Sequence, residues 1–276
     1  MAFRKTLLVV LSLSLALTIL PARADGAIAK ASLRSISVAS RESDMPSRKV
    51  YIWTPAVDSQ VVNTLPVIYI LHGWSGSPSS MINATVSTFN KLINAGANPF
   101  IAVFPDGNAV THPDSEWADS SDKKAMVETW LTQSVIPAVE GRNIRDRTNR
   151  AIMGYSMGGY GATIISLRHP ALFSQVISLA GYYYVDDETG AFSSAAKLKS
   201  QSPLTYLKSA SQMNWFLSEG VNEQTKVIRG QAASWAAKLK SVKASYKLTT
   251  PQAAHDLAFV TSQVTPIVKW LSWGSS

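Results

Sequence analysis

The most informative segment of this sequence is an apolar run that leads into a serine flanked by glycines. Residues 151–153 form the run, and Gly154, Ser156 and Gly158 follow directly before the small and apolar segment 161–165. This order predicts a strand, a tight turn and a helix. The glycines leave room where a Cβ would collide with neighbouring backbone, so the turn exposes Ser156 as a nucleophile. A glycine-rich helix start packed against a sheet is the alternative interpretation.

The surrounding pattern predicts the α/β class, a mostly parallel central sheet with helices on both faces. Short apolar runs suit parallel strands buried on both sides, whereas two early segments alternate as half-buried antiparallel strands do, which places them at an exposed edge. The apolar runs are 67–71, 100–104, 151–153 and 176–179, and the alternating segments are 33–38 and 49–53. Helical spacing appears at 125–135, 161–168, 232–239 and 265–270, the last with Pro266 suited to a first turn.

The N-terminus has the composition of an export signal. Arg4 and Lys5 precede the apolar run 7–20, and small residues around Arg23 fit a cleavage site after Ala24. We expect a signal peptide at 1–24 and a single domain at 25–276, secreted or held in the cell envelope. An uncleaved anchor is the alternative, but the run is short for a bilayer and Pro21 ends it.

Charge and cysteine content narrow the function classes. The 276 residues carry a formal net charge of +8, three units of which lie in the signal segment. The sequence has no compact basic block with interleaved aromatic residues, so it does not indicate nucleic-acid binding. The chain has no cysteine, and its four histidines lack paired metal-ligand spacing, so we expect neither a metal nor a cofactor.

An oxyanion-binding loop is predicted after the strand at 67–71. Acyl-transfer chemistry at a serine on such a turn requires a second backbone donor from a loop of this kind. The backbone amides of Trp74 and Met157 are the candidates. His72 follows the strand directly, and we expect it to order the loop by hydrogen bonding.

The general base is predicted at His255. A serine on a strand-to-helix turn is followed in chain order by an acid and then a histidine near the C-terminus. His255 lies in a loop after the last predicted strand, 244–249. His169 precedes a proline at a helix end and His112 lies in a polar loop, so both have structural explanations.

The acid that orients this base should follow the predicted strand 214–217. Glu219 and Glu223 both do, and Glu223 is preferred because Glu219 comes so soon that it belongs to the strand end. An acidic group at 186–188 is a third option, although such a cluster is more often a solvated loop.

With these residues in place, the chain resembles the α/β-hydrolase family of esterases that includes esterase D (S-formylglutathione hydrolase), feruloyl and acetylxylan esterases and the secreted mycolyltransferases. The shared segments are 72–76, 104–107, 115–117, 154–159, 220–223 and 255–256. The resemblance implies that the acid lies three residues beyond Gly220, at Glu223. It also implies that Trp117 lies near the active-site entrance and Tyr182 lines the substrate pocket. Ordinary aromatic packing is the alternative for both.

The expected function is therefore that of a secreted serine esterase or acyltransferase with an acyl-enzyme intermediate. Its substrate would be a small-molecule, envelope or polysaccharide ester. Mycolyltransferase-like transfer to a sugar is one alternative, although Gly158, Gly159 and Ser75 depart from the mycolyltransferase pattern. Another is a non-catalytic envelope protein that uses the same fold for binding. The oligomeric state is not indicated.

Overall fold

The computed structural model describes residues 30–41, 45–109, 111–112, 114–184, 192 and 194–274. Their centre is an eight-stranded sheet in the order β1-β2-β4-β3-β5-β6-β7-β8. The strands are β1 (Ser32–Val38), β2 (Arg48–Thr54), β3 (Val67–Leu71), β4 (Ile101–Pro105), β5 (Arg150–Tyr155), β6 (Gln175–Leu179), β7 (Asn214–Ser218) and β8 (Ser245–Thr249). The predicted signal segment lies outside the described residues.

Strand burial follows the hydrophobic patterns. Every residue of β3, β4, β5 and β6 is buried, as expected of parallel strands covered on both faces. The first four residues of β1 are exposed, and β1, β2 and β4 pair antiparallel at one edge. The predicted α/β class is confirmed, with the alternating segments at the edge of the sheet.

Helices cover both faces of the sheet. Helices α1 (Pro78–Asn94) and α7 (Leu257–Trp270) pack in the apolar cluster on one face. The other face is covered by α2 (Val127–Thr129), a π-helical turn (Trp130–Val135), α3 (Ile136–Glu140), α4 (Met157–Arg168) and α6 (Gln231–Ser241). Helix α5 (Ala195–Gln201) and the 3-10 segments Val62–Thr64, Arg147–Asn149 and Pro203–Gln212 complete the elements.

The closing helix differs from its prediction. It begins at Leu257, and Pro266 lies inside it instead of in its first turn. The carboxylate of Asp256 caps the start by accepting from the amide of Phe259 at 2.7 Å. A proline inside a helix costs about 3 kcal/mol. The apolar residues buried before and after Pro266 outweigh this cost, because burying each large side chain stabilises the fold by about 1.5–3 kcal/mol. These buried residues are Phe259, Val260, Val264, Ile267 and Val268.

Other helices also differ from the predicted set. Helix α1 has no counterpart in the predicted helices; it starts with Pro78 at its first position, and the amide of Ser77 donates to the Oγ of Ser80 at 3.3 Å. The segment predicted at 125–135 begins at Val127 and continues to Glu140 through the π-helical turn.

The topology brings the chemically important loops together. Strands β3 to β8 run parallel with one another, so their carboxyl ends meet at one edge of the sheet, where ligand sites of such sheets form. Ser156 follows β5, Glu219 follows β7, and His255 lies between β8 and α7. Within the described part of the chain, no helix is long and apolar enough to span a bilayer.

Candidate active site

Ser156 sits on a strained turn between β5 and α4. Its backbone has φ 56° and ψ −121°, a conformation that costs a non-glycine residue about 1–3 kcal/mol. The turn is held because the amide of Ser156 donates to the carbonyl of Leu179 at 2.9 Å. A Cβ on Gly154 would lie 1.8 Å from the carbonyl oxygen of Gly158. The glycine flanking Ser156 is therefore a steric requirement of this turn.

A continuous line of hydrogen bonds joins the three predicted triad residues. Nε2 of His255 lies 3.1 Å from Oγ of Ser156, and Nδ1 lies 2.7 Å from Oε2 of Glu223. The His255 side chain is 24% exposed and that of Glu223 is 1% exposed. Because a carboxylate only accepts, Nδ1 carries the proton and Nε2 can accept one from the serine hydroxyl.

The predicted acid and base are positioned by two loops that pack against each other. The amide of Asn222 donates to the carbonyl of Ala253 at 3.0 Å. A Cβ on Gly220 would come within 2.2 Å of that carbonyl oxygen, so only glycine allows this approach. The second oxygen of Glu223 accepts from the amide of Thr225 at 2.8 Å, which fixes the carboxylate.

Glu219 has a different environment. Its two carboxylate oxygens accept from the amides of Gly230 at 2.5 Å and Ala232 at 2.9 Å, at the start of α6. It thus caps a helix and does not face His255. The third predicted option, Asp186 to Glu188, lies outside the described residues.

Both predicted oxyanion donors border the same cavity as Ser156. Trp74 follows β3 and Met157 is the first residue of α4; both line the cavity. Neither amide donates a hydrogen bond to another residue in the described ranges. The Trp74 side chain is 62% exposed. The start of a helix adds a favourable dipole for the negative charge that develops on a carbonyl oxygen.

The remaining histidines have structural partners. His72 is fully buried; its Nδ1 lies 2.8 Å from the carbonyl of Gly73, and its Nε2 accepts from the amide of Gly107 at 3.0 Å. It therefore orders the loop that carries Trp74. His112 pairs with Asp122 at 3.1 Å and His169 with Glu128 at 2.7 Å. The described residues contain no group of three or more potential ligands that could hold a metal ion.

The cavity at Ser156 has a volume of about 410 Å³. Tyr182, predicted from the resemblance, lies in its wall, and the ring of Tyr182 stacks on Tyr160 with centroids 5.2 Å apart. The lining residues comprise polar and apolar groups in similar measure: Trp74, Ser75, Asp114, Glu116, Ser156, Met157, Tyr182, Tyr184, Thr225, Val227, Ile228 and His255.

Trp117 is the prediction that the structure corrects. Its side chain is fully buried and does not line the cavity. The indole Nε1 donates to the carbonyl of His72 at 3.0 Å, and the side chain of Trp117 fills space left by Gly107 and Gly161, where a Cβ would lie 2.5 Å from its nearest atom. Trp117 is therefore a core residue that supports the neighbouring loop.

Sequence reasoning missed Glu116, a residue of this loop that does line the cavity. Glu116 lines the cavity, although only 6% of the residue is exposed. Its place beside Trp117 in the segment 115–117 was the one signal available. The backbone turns at Glu116 and Trp117 with φ 51° and 52°, which decides which side chain enters the cavity. Neither residue type predicts a left-handed conformation.

Comparisons with known proteins show the family to which the chain belongs. The model of the family described as "Putative esterase" matches residues 45–257 of the chain. A curated relative, an endo-1,4-beta-xylanase/feruloyl esterase of Xylanibacter ruminicola, is 29% identical over 128 residues. That match covers 45% of this chain and 17% of the relative, so the chain spans only a small part of that protein.

Solved structures share the fold at low sequence identity. FphF, a fluorophosphonate-binding serine hydrolase of Staphylococcus aureus, superposes with a TM-score of 0.72 at 16% identity, covering 88% of this chain and 99% of the other. A ferulic acid esterase of Anaeromyces mucronatus in complex with ferulic acid gives 0.63 at 19% identity, covering 87% and 91%. These likenesses show the α/β-hydrolase fold.

Proposed function

Because the chain belongs to this esterase family, we propose that it is a serine esterase or acyltransferase whose nucleophile is Ser156. The observation that carries the proposal is the line of hydrogen bonds from Glu223 through His255 to Ser156. A buried carboxylate, an imidazole and a hydroxyl in this order form the arrangement that activates serine for attack on a carbonyl.

The reaction follows from the hydrogen-bond directions. Nε2 of His255 removes the proton from Oγ of Ser156 as the oxygen attacks the ester carbonyl carbon. The resulting oxyanion accepts from the amides of Trp74 and Met157. His255 then gives its proton to the departing alcohol oxygen, which leaves the acyl group on Ser156. Water or an acceptor hydroxyl attacks this acyl-enzyme, and His255 again relays the proton.

Glu223 stabilises the imidazolium that forms during both halves of the reaction. It is almost fully buried and holds Nδ1 at 2.7 Å, so it keeps the ring in the tautomer whose Nε2 faces Ser156.

A carboxylic ester of modest size, carried on a carbohydrate or another small alcohol, is the proposed substrate. The cavity volume of about 410 Å³ suits a small acyl or aryl group, and the named relatives include feruloyl and ferulic acid esterases. Transfer to a sugar hydroxyl uses the same acyl-enzyme.

Export completes the proposal. Residues 1–24 would be removed as a signal peptide, and 25–276 would form a single secreted or envelope domain. Mass spectrometry of the exported protein should then show a chain that begins at Asp25. Retention of Met1 would favour an anchor instead.

Labelling with a fluorophosphonate probe tests the nucleophile directly. Intact-mass analysis should show one adduct, and peptide mapping should place it on Ser156. The Ser156→Ala variant should take up no probe and should lose hydrolysis of a short p-nitrophenyl ester. Equal ester hydrolysis by both proteins would refute the triad, and absence of labelling in folded wild type would favour a non-catalytic binding protein.

A further inference from the structure

The cavity at Ser156 carries a carboxylate that the acyl-transfer reaction does not use. Glu116 lies in the cavity wall and is 6% exposed. The ring nitrogens of His255 bond to Ser156 and Glu223. Like Asp114, which lines the same cavity, Glu116 is thus an acid outside the line of hydrogen bonds proposed to activate the nucleophile.

The loop fixes the position of Glu116. Trp117 donates from its indole to the carbonyl of His72, and its amide donates to Oγ of Ser115 at 3.2 Å. That hydroxyl in turn donates to the carbonyl of Gly107 at 2.8 Å. Consecutive residues with positive φ persist only where the surroundings impose them, and here a buried tryptophan does so. Glu116 therefore enters the cavity from a rigid support.

Tyr182 holds the carboxylate by a hydrogen bond. Its hydroxyl donates to Oε2 of Glu116 at 2.5 Å, and its ring stacks on Tyr160. Burial and the charge of Glu116 raise the pKa of Tyr182 well above its ordinary value, so the phenol stays a donor. Of the two groups, the phenol is therefore the neutral donor, and any negative charge of the pair lies on the carboxylate of Glu116.

A fixed negative charge in a partly enclosed cavity discriminates between ligands. Charges interact more strongly there than in bulk water, and a second anion would be repelled. Hydroxyl and ammonium groups can instead donate to the carboxylate.

Building on the proposed esterase function, we propose that Glu116 determines substrate specificity. It accepts a hydrogen bond from a hydroxyl or ammonium group of the ester and disfavours esters that carry a carboxylate. Tyr182 acts through Glu116 as a positioning residue.

Two matched ester series test this inference. In the acyl series, p-nitrophenyl esters of ω-hydroxyhexanoate, ω-aminohexanoate and adipate differ only in the group at the chain end. In the alcohol series, butyrate esters of glycerol, choline and glycerate vary the charge on the leaving group; the choline ester tests charge alone, because its quaternary nitrogen has no N–H to donate. The kcat/KM ratio of hydroxyl-bearing to carboxylate-bearing ester is measured in each.

The informative variant is Glu116→Gln, which keeps the size of the side chain and an oxygen that can accept from Tyr182. Wild type should favour the hydroxyl and ammonium esters in one series, and Glu116→Gln should reduce that ratio about tenfold, since unit charges a few ångströms apart in such a site interact at least this strongly. Asp58→Asn, which makes the same change at a turn outside the cavity lining, should leave the ratio unchanged. The responding series identifies the half of the substrate that Glu116 contacts.

Unchanged ratios in both series would overturn the specificity role while leaving the esterase function intact, because wild type would still cleave neutral esters. A response to Asp114→Asn but not to Glu116→Gln would also overturn it, since Asp114 lines the same cavity. If wild type cleaves no ester, the proposed function fails. Binding of the corresponding amides to Ser156→Ala, followed by saturation-transfer NMR, then decides whether Glu116 still discriminates against the carboxylate.

Discussion

The imidazole of His255 stacks on the phenol ring of Tyr155, with ring centroids 4.8 Å apart and planes inclined by 30°. Tyr155 is the residue that precedes Ser156, so one turn of the chain presents the proposed nucleophile and supports the proposed base. The same imidazole also forms a hydrogen bond from Nδ1 to Glu223. The ring of His255 is therefore fixed both in its plane and across its face.

This stack predicts that the aromatic ring at position 155 matters more than its hydroxyl. Tyr155→Phe should retain most of the turnover, whereas Tyr155→Leu should lower kcat about two- to tenfold, the equivalent of losing one aromatic pair. Since the ring positions the base, KM should change little. Steady-state kinetics across pH on an activated ester would measure this. A similar loss in both variants would assign the effect to the hydroxyl.

Replacing the two acids that follow β7 should have different effects, one on turnover and the other on stability. Glu223→Gln should lower turnover by about a thousandfold or more, because the amide cannot stabilise the imidazolium and favours the wrong tautomer. Glu219→Gln should mainly destabilise the fold by about 1–2 kcal/mol, because Glu219 accepts from two amides at the start of α6. Turnover and urea unfolding of both variants would test this. The reverse ranking in turnover would move the acid to Glu219.

Buried tyrosines predict a loss of stability at high pH. Burial raises the pKa of Tyr69, Tyr160 and Tyr183 above the ordinary value. The folded state then keeps protons that the unfolded state releases above about pH 10, so stability falls as pH rises, by about 1.4 kcal/mol per pH unit for each such group. Below the unfolded-state pKa these groups contribute no pH dependence.

The melting temperature between about pH 8 and about pH 11 measures this effect, with phenolate absorbance as a second signal. Tyr183→Phe should make the fall of stability with rising pH less steep, because one fewer proton is released on unfolding. The change also removes the hydroxyl that donates to Ser178 at 3.0 Å. Full phenolate absorbance in a protein that remains folded would show that these tyrosines are more accessible than the structure places them.

The central sheet could be predicted because the physics is local. Runs such as 67–71 and 176–179 are apolar throughout, and only a strand covered on both faces buries every residue of such a run. The helical boundaries were harder because tertiary burial decided them. Pro266 locally favours a helix start, yet the helix continues through it with apolar residues buried on both sides.

Some features of the candidate site could likewise be predicted from local sequence, whereas others depend on tertiary packing. The turn at Ser156 is a property of one short segment, so its glycines indicate it directly. The choice between Glu219 and Glu223 depends on how the carbonyl of Ala253 packs against Gly220, which is 33 residues away along the chain and leaves no local pattern. That Glu116 and not Trp117 lines the cavity likewise depends on positive φ angles at both residues, which these residue types seldom adopt.

The turn geometry leads to a last prediction, a comparison of two glycine-to-alanine changes. In Gly154→Ala the new Cβ would lie 1.8 Å from the carbonyl oxygen and 2.1 Å from the carbonyl carbon of Gly158, and neither backbone atom can move aside without shifting the start of α4. Gly96 has φ 96° after α1, and a Cβ there meets no atom within 4 Å. Gly96→Ala should therefore cost only about 1 kcal/mol of backbone strain.

Gly154→Ala should destabilise the protein by more than about 4 kcal/mol or prevent it from folding, as expected for a clash that the backbone cannot relieve. The free energy of unfolding in urea and fluorophosphonate labelling of the folded fraction measure the two variants side by side. Because both make the same chemical change at a glycine, the difference between them isolates the steric requirement next to Ser156. Wild-type stability and labelling in Gly154→Ala would mean that the serine does not sit on the close turn between β5 and α4 from which the proposed chemistry starts.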